Sequence, residues 1–294
     1  MTKAMLVCCS DARKYDERKM IDELKTKLHS FGIDIDCAEH IFSQSGMIRS
    51  ASPEVRADEL MNCFISSDTE NIFDISGGDI ANELLDHLDY EMISQSYSVF
   101  WGYSDLTTII NAIYTKTGKS SVLYQIKNII GTCGQLQTAR VKNFISAKDN
   151  ELFDIKGRFI SGGNMKGITV GGNIRCLLKL AGTEYFPDMN GKVLVLEARG
   201  GKAGQIISFF NQLKQMRVYD KINGMILGTF TTLDNTCGTG FVERLALEVT
   251  GGKLPIFRTY EFGHSPDSKA VIIGEELAVT QTCSYTKYPI YPMI

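Results

Sequence analysis

Residues 97–116 read YSVFWGYSDLTTIINAIYTK, and they contain one sharp change of backbone structure. The segment opens with the apolar run Tyr97–Trp101, which has the length of a strand. Apolar residues then recur at helical spacing over Leu106–Lys116, and Gly118 stands where a C-terminal cap is expected. The turn Gly102–Asp105 joins the two with almost no spare residues. The segment therefore predicts a β-strand that passes directly into an α-helix.

The same alternation of strand and helix continues on both sides of this segment. Strands are predicted at Ala4–Cys9, Ile33–Ala38, Asn71–Ile75 and Ser121–Ile126, with helical patterns between them. Alternation at this spacing produces βαβ units and a parallel sheet. Residues 1–130 are therefore predicted to form an α/β domain with a doubly wound parallel sheet.

The rest of the chain predicts a connecting segment and a smaller second domain. Residues 131–160 have weak periodicity and several Gly, Asn and Lys residues, which is typical of a crossing segment with short strands. Residues 161–294 are predicted to form a mixed α+β domain. Its predicted elements are helices at Asn173–Leu180, Ala203–Met216 and Gly240–Val249 and strands at Lys192–Glu197, Gly224–Phe230, Pro255–Phe262 and Ala270–Ile273.

Composition and charge argue against several classes of function. The 294 residues carry a formal net charge of -3 and no basic cluster, so nucleic acid is not expected as a partner. The longest apolar runs have strand length, far below the roughly 20 residues of a membrane span. The eight cysteines form no C-x-x-C pair. They predict structural thiols in a reducing, cytoplasmic compartment rather than a zinc or redox site.

Two tight loops follow predicted strands, at the end of a parallel sheet where ligands bind. One loop is Ser76–Asp79 and the other is Gly102–Asp105. Ser104 in the second loop is either a nucleophile on a sharp elbow or, like Asp105, a cap for the following helix. The α/β-hydrolase signature G-x-S-x-G is not met, because Leu106 stands where the second glycine is required.

A general base is sought among only four histidines. His29, His40 and His87 lie in helices or a loop where each has an adequate structural role. His264 differs because it follows a predicted strand, between a glycine and a turn, and is either a base or a structural histidine. Glu197 ends a strongly apolar strand. It either caps the next turn or orients a buried imidazole, as the acid of a catalytic triad does.

Two glycine-rich segments imitate nucleotide-binding loops. Gly200–Ala203 follows a strand and precedes a helix, but Leu196 replaces the upstream glycine and no Ser or Thr follows Lys202. The pairs Gly162-Gly163 and Gly171-Gly172 do not make G-x-G-x-x-G. No cofactor is therefore expected.

A series of motifs, each weak alone, runs in order between about Ser52 and Gly274. The motifs are Arg56–Leu60, Gly77-Gly78 with Asn82 and Leu88–Tyr90, Gly102–Thr107, Gly171–Ile174, Gly182-Thr183 with Pro187-Asp188, Leu196-Glu197 and Phe262–His264. In this order and spacing they resemble the LD-carboxypeptidase family of serine peptidases, which includes the microcin C immunity peptidases. Gly102–Thr107 is similar to the family's nucleophile motif, and the last two are similar to its acid and base motifs.

The resemblance implies an activity and a set of site residues. Ser104 is expected to attack the substrate carbonyl, with His264 as general base and then acid and Glu197 orienting the imidazole. The backbone amides of Gly78 and Asp105 are expected to form the oxyanion hole. The residues expected to contact the substrate are Gly77, Asp79 and Tyr103. The resemblance further implies a cleft between two domains, no metal, a small peptide or peptidyl-nucleotide substrate, and a homodimer.

The chain departs from the family pattern where the substrate is recognised. In the family a second acidic residue follows the triad Glu, whereas this chain has Ala198 at that position. Arg199–Lys202 replaces the family's acidic-aromatic segment just beyond it. Gln125–Lys127 replaces the Gly-Pro loop that is usual in the family. The expected reaction is cleavage of the L,D bond of murein tetrapeptides. Two alternatives stay open: hydrolysis of a peptidyl or aminoacyl nucleotide, and ligand binding without turnover. The glycine loop is more similar to that of the microcin immunity branch.

Overall fold

Two sheets organise the computed structural model, which describes residues 2–43, 47–146, 148–281 and 283–288. The strands are β1 (Thr2–Val7), β2 (Ile33–Cys37), β3 (Thr69–Asp74), β4 (Val99–Gly102), β5 (Ser121–Leu123), β6 (Arg158–Ser161), β7 (Asn164–Asn173), β8 (Val193–Ala198), β9 (Gly224–Phe230), β10 (Ile256–Arg258), β11 (Val271–Ile273), β12 (Glu276–Thr280) and β13 (Cys283–Lys287). The α-helices are α1 (Arg18–His29), α2 (Pro53–Ile65), α3 (Tyr90–Gln95), α4 (Thr107–Thr117), α5 (Gly134–Ile145), α6 (Ile174–Lys179), α7 (Ala203–Gln215), α8 (Thr231–Cys237) and α9 (Gly240–Thr250). Short 3-10 helices lie at Tyr15–Glu17, Ala81–His87, Ser104–Leu106 and Ile126–Ile130. None of the helices within the described ranges combines the length and apolar composition of a membrane span.

The first sheet has the strand order β11-β5-β4-β3-β1-β2. Strands β1 to β5 are all parallel, so the prediction of a doubly wound α/β sheet is confirmed. The order reverses between β1 and β3, and in such sheets the loops diverge at this point and leave a crevice at the carboxyl ends of the strands. The two tight loops singled out in the sequence follow β3 and β4, beside that crevice.

A cluster of aromatic side chains holds the middle of the first sheet. Trp101 on β4 is buried and packs against Phe73 and Tyr124, with ring centroids 5.5 and 6.3 Å apart. Its indole N–H donates to the Oδ1 of Asn71 at 2.8 Å, so the polar atom of the ring is satisfied. Truncating an aromatic side chain buried in this way costs about 3–5 kcal/mol. The strand that leads to the Gly102–Asp105 turn is therefore rigidly placed.

The strand predicted at Ala270–Ile273 lies in the first sheet and not in the second half of the fold. Its residues Val271–Ile273 pair antiparallel with β5, with Ile272 opposite Val122. Three buried apolar residues pack equally well against either sheet, so their composition carries no information on which sheet they join. The chain therefore returns to the first domain after it has built most of the second.

The connecting segment contains a helix where short strands were expected. Helix α5 was not predicted because its buried face includes polar residues, which removes the apolar periodicity. The Gln137 side-chain amide donates to the carbonyls of Pro266 and Ser268 at 2.9 and 2.8 Å. Arg140 donates to the carbonyl of Asp267 at 2.8 Å. These bonds attach the helix to the chain that follows His264.

The second sheet has the order β13-β12-β7-β8-β9-β10-β6. Strands β7 to β10 are parallel, whereas β6, β12 and β13 pair antiparallel with their neighbours. The prediction of a mixed α+β second half is consistent with this sheet. The strand predicted at Pro255–Phe262 is shorter than expected and ends at Arg258. The buried Arg258 guanidinium pairs there with Asp234 at 3.0 Å.

Helix α4, which follows the Gly102–Asp105 turn, joins the two halves of the molecule. The Asn111 side chain accepts from the amide of Gly171 at 2.9 Å and donates to its carbonyl at 2.8 Å. One turn earlier, the Thr107 hydroxyl oxygen accepts from the amide of Asn173 at 3.0 Å. All these groups are buried, so losing either side chain would leave backbone groups unpaired. The end of β7 is thereby fixed to the start of α4.

Candidate active site

A cavity of about 490 Å³ lies where the two halves of the molecule meet. The first half contributes Gly77, Gly78, Tyr103 and Ser104 to its wall, and the second contributes His264. The glycine loop, the Ser104 turn and the His264 motif therefore share one cleft, as the resemblance implied.

Ser104 occupies a strained turn at the end of β4. Its φ angle is +59°, in the left-handed region that non-glycine residues rarely adopt. It is the first residue of the 3-10 helix Ser104–Leu106, which runs into α4. In the described part of the chain, no side chain caps the starts of these two helices. The geometry therefore favours the elbow interpretation of Ser104 over the capping one.

The Asp105 side chain does not cap the following helix but bonds to other parts of the fold. It is fully buried and accepts from the Ser10 hydroxyl at 2.7 Å and from the Ala81 amide at 2.8 Å. Its other oxygen pairs with the Lys179 ammonium at 2.5 Å. Asp105 thus ties the turn to the chain after β1, to the start of the 3-10 helix Ala81–His87 and to α6. The backbone amide of Asp105 follows the nucleophile directly.

Glu197 and His264 meet although 67 residues separate them. The Glu197 Oε2 lies 2.6 Å from the His264 Nδ1, and the glutamate is fully buried. The other carboxylate oxygen accepts from the Asn173 side-chain amide at 3.0 Å. Asn173 stands directly opposite Glu197 in the pairing of β7 with β8. The Nε2 of His264 is buried and has no hydrogen-bond partner among the described residues, so it is available to a substrate or a nucleophile.

Two glycines allow the loop before His264 and the Gly77-Gly78 loop to reach the cleft. Gly263 has φ +145°, and a Cβ at this position would stand 1.8 Å from the Thr229 Oγ1. Gly78 has φ +144°, and a Cβ there would stand 2.0 Å from the Asp11 Cγ. Both φ angles are strained for any residue with a side chain, and a Cβ at either position would also force its neighbour to move. His264 and the Gly77-Gly78 loop therefore reach the cleft only because glycine is present.

A buried carboxylate, that of Asp74, also holds the loop after β3 in place. Burial raises the pKa of Asp74, which accepts from the amides of Cys9 at 2.7 Å and Ser76 at 2.6 Å. The Ser76 hydroxyl in turn accepts from the amide of Ser10 at 2.9 Å. The ends of β1 and β3 are thereby held together beneath Gly77-Gly78. The sequence pattern did not single out Asp74, because an Asp at a strand end is common.

The three residues expected to contact the substrate take different positions. Gly77 lines the cavity. Tyr103 lines it as a buried wall, with its ring 4.9 Å from the His264 ring, and burial raises its pKa well above the ordinary value. Asp79 is largely exposed and pairs with Arg175, while its amide donates to Asp11 at 2.9 Å. Asp79 is not part of the cavity wall.

The sequence did not identify the residues that hold the two buried carboxylates, or the cationic residues of the cavity wall, as parts of the site. Asn173 and Lys179 hold the two buried carboxylates, and neither carries a motif of its own. Arg13, Lys127 and Arg199 all line the cavity. The signal for two of them was present, since Lys127 and Arg199 stand where the chain departs from the family pattern. Among the described residues, no group of three His, Cys, Asp or Glu side chains is arranged to hold a metal ion.

Two family models match this chain, one in each half. Residues 5–124 match the family model described as the LD-carboxypeptidase N-terminal domain, and residues 166–279 match the LD-carboxypeptidase C-terminal domain. The microcin C7 self-immunity protein MccF of Escherichia coli is 26% identical over 266 residues, covering 79% of this chain and 77% of MccF. A structure of MccF in complex with aspartyl sulfamoyl adenosine has a TM-score of 0.86 at 18% identity, covering 99% of this chain and 97% of that one. The muramoyltetrapeptide carboxypeptidase from Oxalobacter formigenes has a TM-score of 0.80 at 18% identity, covering 98% of each chain.

Proposed function

The chain belongs to the LD-carboxypeptidase family of serine peptidases, and we propose that Ser104, His264 and Glu197 are its catalytic triad. The reaction is hydrolysis of an amide bond next to a free carboxylate, with the L,D bond of murein tetrapeptide as the substrate. The observation that carries the proposal is the contact of 2.6 Å between the buried Glu197 and the His264 Nδ1, in the cleft that Ser104 also lines.

The arrangement supports a stepwise acyl transfer. Glu197 accepts the Nδ1–H of His264, which leaves Nε2 free to take the proton from the Ser104 hydroxyl. The Ser104 Oγ then attacks the substrate carbonyl, and His264 returns the proton to the departing amine as the amide bond breaks. Water, deprotonated by His264, next attacks the acyl carbonyl. The ester bond to Ser104 breaks, the Ser104 oxygen takes the proton back from His264, and the acyl group leaves as a carboxylic acid. Glu197 stabilises the imidazolium in both half-reactions.

The developing oxyanion needs hydrogen-bond donors that are already in place. The backbone amides of Gly78 and Asp105 are suited to this role, because one belongs to the glycine loop and the other directly follows Ser104. A preorganised donor of this kind contributes about 3–4 kcal/mol to the transition state. The Asp105 side chain supports the role indirectly, since the three hydrogen bonds that it accepts fix the turn.

Murein tetrapeptide is the favoured substrate for two reasons. The solved structure from Oxalobacter formigenes that shares this fold is named for a muramoyltetrapeptide. Among the described residues of the cavity wall, the only aromatic side chain is Tyr103, and its ring packs against His264. It is therefore not free to stack on a nucleotide base.

A peptidyl or aminoacyl nucleotide is the second candidate. The relationship to MccF favours it, because a structure of MccF holds aspartyl sulfamoyl adenosine. Ligand binding without turnover is the third, and the contact of Glu197 with His264 weighs against it.

Mass spectrometry of a murein tetrapeptide, incubated with wild-type or Ser104→Ala protein, tests the proposal. We expect only the wild-type protein to release the terminal D-alanine. An untouched tetrapeptide, together with cleavage of an aminoacyl sulfamoyl or phosphoramidate nucleotide, would transfer the proposal to the second candidate. Release of D-alanine by the Ser104→Ala protein would remove Ser104 as nucleophile. Equal thermal unfolding of the two proteins is the control.

The proposal includes a cytoplasmic, homodimeric enzyme. Every cysteine whose side chain the structure describes is a free thiol, which supports a reducing compartment. The homodimer rests on the family resemblance. Analytical ultracentrifugation at micromolar concentration tests it, and a single monomeric species would contradict it.

A further inference from the structure

The wall of the active-site cleft carries three cationic side chains. Arg13 follows β1, Lys127 lies in the 3-10 helix Ile126–Ile130, and Arg199 follows β8 directly after the Glu197 strand end. No Asp or Glu belongs to the described residues of this wall. The protein as a whole carries a net charge of -3. The cations are therefore a local feature of the cleft.

Among the described residues, Arg13 has an ion-pair partner, whereas Lys127 and Arg199 have none. Arg13 pairs with Glu17, but its Nε is buried and lacks a hydrogen-bond partner in the described part of the chain. Lys127 and Arg199 form no ion pair with any described residue. Burial and the neighbouring Arg13 charge lower the pKa of Lys127 to about 8. A half-buried ammonium without an acceptor is costly for the fold, and such groups in clefts are frequent in functional sites.

Resting on the proposed function, we propose that Arg13, Lys127 and Arg199 form an anion subsite that selects substrates with at least two negative charges. One charge is the carboxylate next to the scissile bond. Lys127 and Arg199 lack ion-pair partners among the described residues, so each is available to its own oxyanion group of the substrate. The second charge is a further oxyanion group on the substrate, held in the same cleft as Ser104 and His264.

The chemistry of the side chains fits an oxyanion in either of two forms. A guanidinium donates two parallel hydrogen bonds to a carboxylate or a phosphate, and an ammonium acts as a point charge toward both. A second carboxylate would come from an acidic residue of a peptide, and a phosphate would come from a nucleotide. The experiment separates these sources.

Binding to Ser104→Ala protein is measured by isothermal titration calorimetry at pH 7, because that protein does not consume the peptide. Two versions of a murein tetrapeptide are compared, one with free side-chain carboxylates and one with these groups as primary amides. Inorganic pyrophosphate serves as the phosphate probe. The variants Lys127→Met and Arg199→Gln are made in this background, with Lys142→Met as control. Lys142 is exposed on α5, outside the cleft wall.

We expect Lys127→Met and Arg199→Gln each to weaken binding of the free-acid peptide about tenfold or more. The amidated peptide should change less than about twofold, and Lys142→Met should change neither. If Lys127→Met weakens the binding of pyrophosphate but not that of the free-acid peptide, the subsite is supported with phosphate as its ligand. Equal losses for acid and amide peptides, together with pyrophosphate binding that ignores both variants, would overturn the proposal.

This outcome is independent of the proposed catalysis. Failure of D-alanine release would remove the peptidase proposal, but the pyrophosphate titration would still report on the three cations. Arg199 is exposed, so Arg199→Gln keeps the test valid even where Lys127→Met alters the fold. Thermal unfolding of each variant identifies such a case.

Discussion

Two buried carboxylates stand beside the cleft, and their partners differ in kind. Asp105 accepts from Ser10, Ala81 and the Lys179 ammonium, which ties three parts of the fold together. Glu197 accepts from an Asn173 amide and faces the His264 imidazole, which gains and loses a proton in the proposed reaction. A carboxylate paired with a lysine ammonium stabilises the fold, whereas a carboxylate paired with an imidazole takes part in proton transfer. The two acids should therefore respond oppositely to substitution.

The largest expected effect is on the rate of catalysis. Glu197→Gln should reduce kcat about ten-thousand-fold, because an amide no longer holds the imidazole in the right tautomer or stabilises the imidazolium. The free energy of unfolding should change by less than about 1 kcal/mol, since Gln has nearly the same shape and still accepts a hydrogen bond. The rate of D-alanine release and urea unfolding measure the two quantities. A variant with a normal rate would remove Glu197 from the triad.

The next effect is on stability. Asp105→Ala should lower the free energy of unfolding by about 3–5 kcal/mol, because it leaves the Ser10 hydroxyl and the Ala81 amide unpaired in a buried site and removes the carboxylate from the Lys179 ammonium. The double variant Asp105→Asn with Lys179→Met should recover part of this loss, since no buried charge then lacks a partner. Urea unfolding measures both. A loss below about 1 kcal/mol for Asp105→Ala would show that the carboxylate is not a structural tie.

A smaller effect is expected from the group that steadies Glu197. Asn173→Ala removes the 3.0 Å hydrogen bond to the Glu197 carboxylate, and a hydrogen bond to a charged group contributes about 1.5–3 kcal/mol. We expect kcat to fall about 10-fold to 100-fold with little change in KM. Asn173→Asp is the matched control with the same shape, and it should be worse because it places a second carboxylate against Glu197. Equal rates for wild type and Asn173→Ala would remove Asn173 as a positioning residue.

The comparison of the two acids also marks how far sequence reasoning reached. Glu197 and Ser104 could be proposed because each lies in a recognisable motif near the end of a strand. The parallel sheet of the first half followed from the alternation of strands and helices. The partners of Asp105 could not be predicted, because Ser10 and Lys179 lie far from it in the chain and no spacing relates them. Contacts between distant segments depend on packing, which short-range patterns do not record.

The errors on the fold have the same origin. Helix α5 was not predicted because buried Gln137 and Arg140 replace apolar residues and bond to backbone carbonyls. The three-residue strand β11 was assigned to the second half because its neighbours in the chain lie there, whereas it pairs with β5. In both cases a tertiary contact decided the structure and a local pattern did not.

The smallest expected effect is a pH dependence that comes from the anion subsite and not from either buried acid. The pKa of Lys127 is lowered to about 8, first by burial and then by Arg13, while Asp74, Glu17 and Cys8 act in the opposite direction. Lys127 is thus mostly charged at pH 7 and mostly neutral at pH 9. A bound anion favours the charged form, so KM for an acidic peptide should rise between these pH values by up to about tenfold. Lys127→Met should raise KM at pH 7 and flatten this rise, whereas Lys142→Met should leave the profile unchanged. A wild-type KM that is constant from pH 7 to pH 9 would show that the Lys127 charge does not contact the substrate.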